Sequence, residues 1–227
     1  MLHSRRFREN SRIIELFTED HGRVAVVARV SRRKNAANTS KFQPFRELAL
    51  QWRGKSELQN LQQAEELQYF DLRPPANICG LYCNELILYL TSKFIPLPSL
   101  YAVYQRTLER LAKTDGIEPV LRQFEITLLE DLGYGLDLGS DHLSGAALTE
   151  ASEYYFHPAM GLSVSNPGQG SILISSAVVQ ALQDQDFSQQ STAKAVKIVL
   201  GSAIDYLLDG RTLKSRQLFR DMVKIST

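Results

Sequence analysis

The stretch RIIELFTEDHGRVAVVARV, residues 12–30, decides the fold class of the amino-terminal part of the chain. Apolar residues dominate Arg12–Thr18 and alternate with others through Arg23–Val30, as they do in half-buried strands. Asp20-His21-Gly22 between the two segments has the composition of a turn. The stretch therefore predicts two strands joined by a tight connection.

More strand patterns follow on the carboxyl side of this pair. Phe45–Arg53 alternates and is closed by Gly54, and Glu57–Leu67 could form a further strand. Between them, Ser31–Lys41 is a polar loop with four cations and no acid. Several short strands within about 70 residues predict a small barrel or sandwich.

The periodicity changes behind Arg73-Pro74-Pro75, and helical patterns follow, so the chain is expected to be α+β. A looser stretch over residues 137–175 is rich in Gly and Pro, with Tyr154–Phe156 and Leu162–Val164 as a candidate hairpin. A basic tail, Arg211–Lys224, ends the helical part. The predicted helices are Ile78–Thr91, Pro98–Lys113, Pro119–Leu132, Ser176–Gln183 and Thr192–Leu208.

Charge is strongly segregated along the chain. Residues 1–56 hold 13 Lys and Arg against 5 Asp and Glu, whereas residues 57–210 hold 8 against 19. Residues 211–227 return to 5 against 1. A polyanion would be steered toward the amino-terminal part, since the potential there is positive.

Enzyme signatures are weak. Ser140-Asp141-His142 holds the residue types of a catalytic triad, but sequence neighbours cannot form that relay, and no phosphate-binding loop is present. Cys79 and Cys83 are expected to be buried small hydrophobes. We expect no catalysis, cofactor or metal site, with a metal-dependent hydrolase as the least favoured alternative. No apolar run is long enough to span a bilayer, so no membrane partner and a cytoplasmic, nucleoid-associated location are expected.

The basic amino-terminal part suggests DNA binding. Small barrels bind single strands with a cationic groove along the phosphates and aromatic rings under the bases. Phe7, Phe42, Phe45 and Trp52 are the interleaved aromatics. Alternatively, Phe45 and Trp52 are core and the arginines only solubilise the surface. A second class of function is a protein adaptor with an OB-like module that touches no nucleic acid, which the acidic remainder of the chain permits. The candidate DNA-binding residues are Arg5, Arg29, Arg32, Arg33, Lys34, Lys41 and Arg53.

The predicted helix Pro119–Leu132 offers a second candidate site. Arg122, Ile126 and Leu129 form a line on the flank expected to be less buried. A cation beside apolar side chains suits a peptide that ends in an aromatic residue and a carboxylate, with weak affinity. The alternative is that Arg122 pairs with Glu125 or Glu118 and binds nothing.

An ordered set of strings over nearly the whole chain resembles the RecO family of DNA repair and recombination proteins. The strings are His3-Ser4-Arg5, Phe17-Thr18-Glu19, Gly22-Arg23-Val24, Gln43-Pro44-Phe45, Gly80-Leu81-Tyr82, Asn84-Glu85-Leu86, Leu121-Arg122, Phe124-Glu125, Leu132-Gly133-Tyr134-Gly135, Leu213-Lys214-Ser215-Arg216 and Leu218-Phe219.

The resemblance implies an OB-fold domain, residues 1–73, followed by a helical domain, residues 76–227. It also implies a recombination mediator that binds single- and double-stranded DNA, anneals complementary strands and acts with RecR to load RecA onto strands coated by the single-stranded DNA-binding protein. RecA would thus be an indirect partner. The acidic Pro-Phe tail of the coating protein would dock at Arg122, Ile126, Leu129 and Leu132.

Two departures from the family pattern carry expectations. Relatives carry several more residues of the first strand before His3-Ser4-Arg5, so either the start site is misassigned or the barrel lacks part of an edge. Many relatives hold four zinc-binding cysteines in the stretch that matches residues 137–175, and this chain has none there. We therefore expect that stretch to be held without zinc and to be the most mobile part.

Overall fold

The computed structural model describes residues 1–29, 41–54, 56–113, 116–148 and 151–225. For residue 225 it describes the backbone only. A five-stranded sheet comes first, and a helical region with a small second sheet follows it. The predicted α+β class is confirmed. Two compact units are present, Met1–Ile117 with Leu213–Thr227, and Glu118–Thr212.

The first sheet contains five strands in the order β1-β2-β3-β5-β4. Antiparallel pairs join all neighbours except β3 and β5, which run parallel. Two register shifts interrupt the β4–β5 ladder. The strands are β1 (His3–Phe7), β2 (Ser11–Thr18), β3 (Gly22–Arg29), β4 (Arg46–Arg53) and β5 (Leu58–Tyr69).

Alternation in β2 and β3 builds the core of this sheet. Ile14 and Leu16 on β2 and Val24 and Val26 on β3 are almost fully buried and pack together. Because successive side chains of a strand point to opposite faces, the residues between them form the outer face. The predicted strands over residues 12–18 and 23–29 are confirmed, and Val30 lies outside the described residues.

Backbone hydrogen bonds close the sheet on itself. The nitrogen of Met1 donates to the carbonyl of Arg46 over 2.8 Å, and the nitrogen of Phe45 donates to the carbonyl of Met1 over 3.3 Å. All five residues of β1 pair with β2. Within the described residues Met1 thus joins β1 to the strand at the other end of the sheet, and the arrangement is consistent with an OB-fold.

Three helices complete the first unit: α1 (Ala76–Leu90), α2 (Pro98–Ala112) and α6 (Lys214–Ile225). Asn84 of α1 donates to the carbonyl of Leu2 over 2.9 Å and accepts from the Tyr104 hydroxyl of α2 over 2.7 Å. Burial raises the pKa of Tyr104 well above its usual value, so the phenol stays neutral and donates. This buried chain of hydrogen bonds fixes both helices to the start of the barrel.

Two predictions for the first unit have clear outcomes. Cys79 and Cys83 on α1 are buried, as expected. The basic tail prediction was incomplete, because most of the segment is the helix α6. Leu218 and Met222, and likewise Phe219 and Val223, lie four residues apart, and this helical spacing is the signal that charge alone does not show.

The second unit holds α3 (Ile117–Asp131, from Glu118 onward), α4 (Ser176–Asp184) and α5 (Gln190–Leu208). Its three-stranded sheet has the order β7-β6-β8, with β6 (Glu153–His157), β7 (Gly161–Ser163) and β8 (Ile172–Ser175). The predicted hairpin is β6 with β7, whereas β8 was not predicted. Three of its four residues are apolar, but the segment is short and follows closely on Gly168 and Gly170, so it carried no clear strand signal.

Asp141 organises the stretch that was expected to be loose. One of its carboxylate oxygens accepts from the backbone nitrogen and the hydroxyl of Ser144, at 2.7 and 2.8 Å, and the other accepts from the nitrogen of Val164 at 2.8 Å. These donors lower the pKa of Asp141, the Val164 nitrogen most strongly. A single carboxylate thus joins a turn to the end of β7.

The described residues contain neither a cluster of metal-binding side chains nor a helix that could span a membrane. No group of three or more His, Cys, Asp or Glu residues there could hold a metal ion. None of the helices in the same ranges is both long and apolar enough to cross a membrane.

Candidate nucleic-acid interface

A row of paired residues crosses the outer face of the first sheet. Arg5 pairs with Ile13, Ile13 with Val27, Val27 with Asn60, and Asn60 with Arg53. Cross-strand partners point to the same face of a sheet, so Arg5 and Arg53 end one row. Ile13 within this row is only 4% exposed, so the accessible members are Arg5 at one end and Asn60 and Arg53 at the other. Neighbouring strands lie about 4.8 Å apart, which puts about 19 Å of sheet between the two ends.

Arg29 belongs to the same face. It follows Val27 by two residues on β3, and it pairs with Ser11, which in turn pairs with Phe7. Since strand side chains alternate with a period of two, Arg29 and Phe7 lie one row beyond Arg5. Three of the predicted DNA-binding arginines thus lie on the outer side of the closed sheet, Arg5 and Arg53 on the two strands that end it and Arg29 on β3.

The arginines of this face are available to a ligand. Arg5, Arg29 and Arg53 are exposed, and they form no ion pair with any other residue that the structure describes. Their guanidinium groups can therefore neutralise phosphates without first breaking a salt bridge. We call Arg5, Arg29 and Arg53 the arginine face.

Other cations of the barrel have structural roles instead. Arg12 donates to the hydroxyl of Ser4 over 2.6 Å. Arg23 donates twice to the carbonyl of Thr91, at 3.1 and 3.3 Å. Sequence alone could not separate these arginines from those of the arginine face, because all of them follow the same strand pattern.

Lys41 and the loop cations stand apart from the row. Lys41 is half-buried, donates to the carbonyl of Ala64 over 3.0 Å and lies 5.3 Å from the centre of the Phe42 ring. It therefore contributes to the structure of β5 as well as to local charge. Arg32, Arg33 and Lys34 lie outside the described residues.

The proposed aromatic contribution needs correction. Phe42 and Phe45 are buried, and Trp52 packs against the core, so these rings are not open platforms for bases. Phe7 is the exception, because it is half-buried, shares the arginine face and has the Arg8 guanidinium 5.1 Å from its ring centre. The alternative that most of these aromatics are core is correct.

The predicted peptide site on α3 also needs correction. Arg122, Ile126 and Leu129 were expected on a less buried flank, but they are only 3%, 9% and 1% exposed. The Arg122 guanidinium pairs with Glu125 over 2.9 Å, and both side chains are buried. Leu132, just past the helix, is half-buried. The physical reason is that α3 is buried around most of its circumference, which a two-stripe reading of the sequence did not anticipate.

One residue of the interface, Asn60, was not predicted from the sequence. It lies between Val27 and Arg53 in the row and is exposed. Asn60 lies beside Val27 and Arg53 only because of the register in which β3 pairs with β5. That register joins strands about 30 residues apart in sequence and leaves no local signature.

Comparison with known proteins gives a consistent result over both parts of the chain. Residues 1–70 match the family described as "Recombination protein O N terminal", and residues 73–217 match "Recombination protein O C terminal". The chain is 37% identical over 221 residues to DNA repair protein RecO of Methylococcus capsulatus, covering 97% of this chain and 90% of that protein. It is 34% identical over 226 residues to the protein of the same name from Halorhodospira halophila, covering 98% and 95%. The corresponding protein of Mannheimia succiniciproducens is 36% identical over 225 residues, with 98% of each chain covered.

Proposed function

The chain belongs to the RecO family of DNA repair proteins, and from that membership we propose that it is a recombination mediator that holds DNA by its phosphates. The observation that carries the proposal is the arginine face, where Arg5 and Arg53 end one paired row and Arg29 lies in the next. Phosphate contacts of this kind give affinity without reading sequence.

The electrostatics support binding of both single- and double-stranded DNA. Each phosphate that an arginine neutralises releases condensed counterions, so affinity falls as salt rises. Three contacts on a single strand predict a slope of about −2 in a plot of log K against log salt. Between 50 and 200 mM salt this slope corresponds to a loss of roughly 20-fold in affinity.

The same property supports strand annealing. Two complementary strands repel each other through their phosphates, and a surface that neutralises some of those charges lowers the cost of bringing them together. No covalent bond is made or broken in this process. We therefore propose a non-enzymatic role without a cofactor, in which base pairing supplies the driving force.

The proposed protein partners are RecR, the single-stranded DNA-binding protein and, indirectly, RecA. Docking of the acidic tail of the coating protein at Arg122 would require its carboxylate to compete with Glu125, which already holds that guanidinium at 2.9 Å. Arg122 also keeps a buried Nε that makes no hydrogen bond within the described residues. We propose that tail binding at Arg122 displaces the Glu125 carboxylate from its guanidinium.

The test is a charge-matched pair of triple variants. Replacing Arg5, Arg29 and Arg53 by Gln is expected to reduce single-strand affinity and flatten the salt slope toward zero. Replacing Arg106, Arg110 and Lys194, three exposed cations outside the barrel, removes the same charge and should leave the slope near that of the unaltered protein. Equal slopes for the two triple variants would exclude the arginine face as the DNA-binding surface and favour a protein adaptor.

A further inference from the structure

A cavity of about 280 Å³ opens in the first unit between the β2–β3 turn, β4 and α2. Its volume lies near the lower end of the range of small-ligand sites, roughly 300–1,000 Å³. Aromatic rings line it: Phe17 and Tyr101 lie 5.7 Å apart between ring centres, and His21 meets Trp52 edge-on at 5.3 Å. The cavity therefore has room for one side chain between aromatic walls.

Three carboxylates share this cavity with the rings. Glu19 and Asp20 are exposed on the β2–β3 turn, and Glu47 is half-buried on β4. The Glu47 carboxylate accepts from the Gln105 amide over 3.0 Å. The pKa of Tyr101 is raised, first by burial and then by Glu47, Glu19 and Asp20, so all three carboxylates act on one position.

The basic groups around the cavity do not balance this charge. Met1 lines it, but burial lowers the pKa of its amino group to about 5, so the amine is neutral near pH 7. Arg46 lines it too, but its guanidinium pairs with Glu66 over 2.5 Å and lies 4.2 Å from the centre of the Tyr69 ring. Neither Glu66 nor Tyr69 lines the cavity. The interior is thus negative and aromatic at once, which is the environment that attracts an organic cation.

We propose that this cavity receives the side chain of an arginine on the surface of a partner protein. A guanidinium is planar, so it stacks on aromatic faces while its edge donates to carboxylates. Free arginine would bring its own carboxylate close to Glu19 and Asp20, which disfavours the small molecule. A phosphate chain is disfavoured for the same reason, so the cavity is not a second site for DNA.

The site is separate from the arginine face. Trp52 and Arg53 are consecutive on β4, and consecutive strand side chains point to opposite faces. Trp52 packs toward the core and the cavity, whereas Arg53 ends the outer row. A partner held in the cavity therefore leaves the arginine face accessible, and failure of one proposal does not decide the other.

Trp52 is the sole tryptophan of the sequence, so its fluorescence reports on the cavity directly. The probe is the tripeptide acetyl-Ala-Arg-Ala-amide, and the neutral comparison is the same peptide with citrulline in place of arginine. We expect a saturable change in emission with the arginine peptide at low salt, and affinity at least about tenfold weaker for citrulline. Equal binding of the two peptides, no saturable change, or tighter binding of free arginine than of the peptide would overturn the proposal.

Single substitutions test whether the arginine peptide binds within the cavity. Glu47→Gln is expected to weaken the arginine peptide by about tenfold, and Asp20→Asn, on the exposed turn, by about three- to fivefold. Glu65→Gln removes one exposed carboxylate of β5 that does not line the cavity, and it should bind like the unaltered protein. Circular dichroism checks the fold of each variant, and Asp20→Asn decides the matter if Glu47→Gln is unfolded. Unchanged affinity in a folded Glu47→Gln or in Asp20→Asn would contradict the proposal.

Discussion

The carboxylate of Glu85 on α1 caps the first turn of α6 through Ser215. Its oxygen accepts from the backbone nitrogen of Ser215 over 2.8 Å and from the Ser215 hydroxyl over 2.5 Å, while the other oxygen accepts from the nitrogen of Lys214 over 3.1 Å. The first nitrogens of a helix have no partner within the helix, and a negative charge there also favours the helix dipole. One side chain of α1 thus holds the beginning of a helix about 130 residues later in the sequence.

Glu85→Ala is expected to destabilise the first unit by about 1–3 kcal/mol, because several backbone and hydroxyl donors lose a charged acceptor. Glu85→Gln should cost less, since its amide oxygen can keep one of the bonds. Urea unfolding followed by circular dichroism measures both. Glu109→Gln on α2, an exposed acid, serves as the control and should stay within about 0.5 kcal/mol of the unaltered protein. A Glu85→Ala variant as stable as this control would show that the cap contributes nothing.

The hydrogen bonds that Asp141 accepts predict that the stability of the protein depends on pH in the acid range. Its pKa in the folded protein is lower than its usual value near 3.8, so its contribution is fully present above about pH 4 and is lost as the pH falls through the folded value. Asp141→Asn keeps only one of the two accepting oxygens and has no charge to lose. The variant should have a lower urea midpoint at pH 6, and the difference from the unaltered protein should shrink between pH 4 and pH 2. A constant difference over that range would contradict this role.

The Arg122–Glu125 pair predicts non-additive effects on stability. Arg122→Ala removes the counter-charge of a buried carboxylate and should cost about 3–5 kcal/mol, whereas Arg122→Met combined with Glu125→Leu should cost much less. Denaturant unfolding of Arg122→Met, Glu125→Leu and the double variant that combines them gives the coupling energy, and additive losses would contradict the pairing. Tail-peptide binding must therefore be compared in the stable double variant, because a loss of affinity in Arg122→Ala alone could reflect unfolding.

Single substitutions on the arginine face should each reduce the salt dependence of DNA binding by the same amount. Arg5→Gln, Arg29→Gln and Arg53→Gln are each expected to reduce the single-strand salt slope by about 0.7, one phosphate contact apiece. The loss should be the same for oligonucleotides of different sequence, because phosphate contacts carry no base information. Fluorescence anisotropy at four salt concentrations gives the slopes. A loss confined to one base composition would indicate base contacts instead.

Replacing Gly22 by alanine is expected to cause a steric clash, and the stability lost to that clash can be measured separately from the stability lost to backbone strain. Its φ is +61°, and a Cβ at this position would lie 1.9 Å from the carbonyl oxygen of Ile95. Gly145 has a similar φ of +69° with nothing within 4 Å, so Gly145→Ala reports the strain alone, about 1–2 kcal/mol. Gly22→Ala should be clearly more destabilising, and thermal unfolding compares the two. Similar losses of stability in the two variants would mean that the backbone at Ile95 shifts away from the new Cβ at little cost.

Local sequence patterns predicted the strands and helices well, because each is set by neighbours within a few residues. Alternation around Ile14 and Val26 located β2 and β3, and Pro119 with Gly133 bracketed α3 to within two residues. The pairing of β3 with β5 could not be predicted, because it depends on contacts distant in sequence. The same limit hid the alignment of Arg5 with Arg53, and it hid the burial of Arg122 by the surroundings of α3.

The first unit is discontinuous: residues 1–117 are completed by residues 213–225, which follow the whole of the second unit along the chain. During translation, the ribosome must therefore finish the second unit before α6 can reach α1. Nascent chains fold in the order in which segments emerge. Until then the Glu85 carboxylate has no helix to cap, so the contact that joins the two ends of the first unit is among the last to form during synthesis.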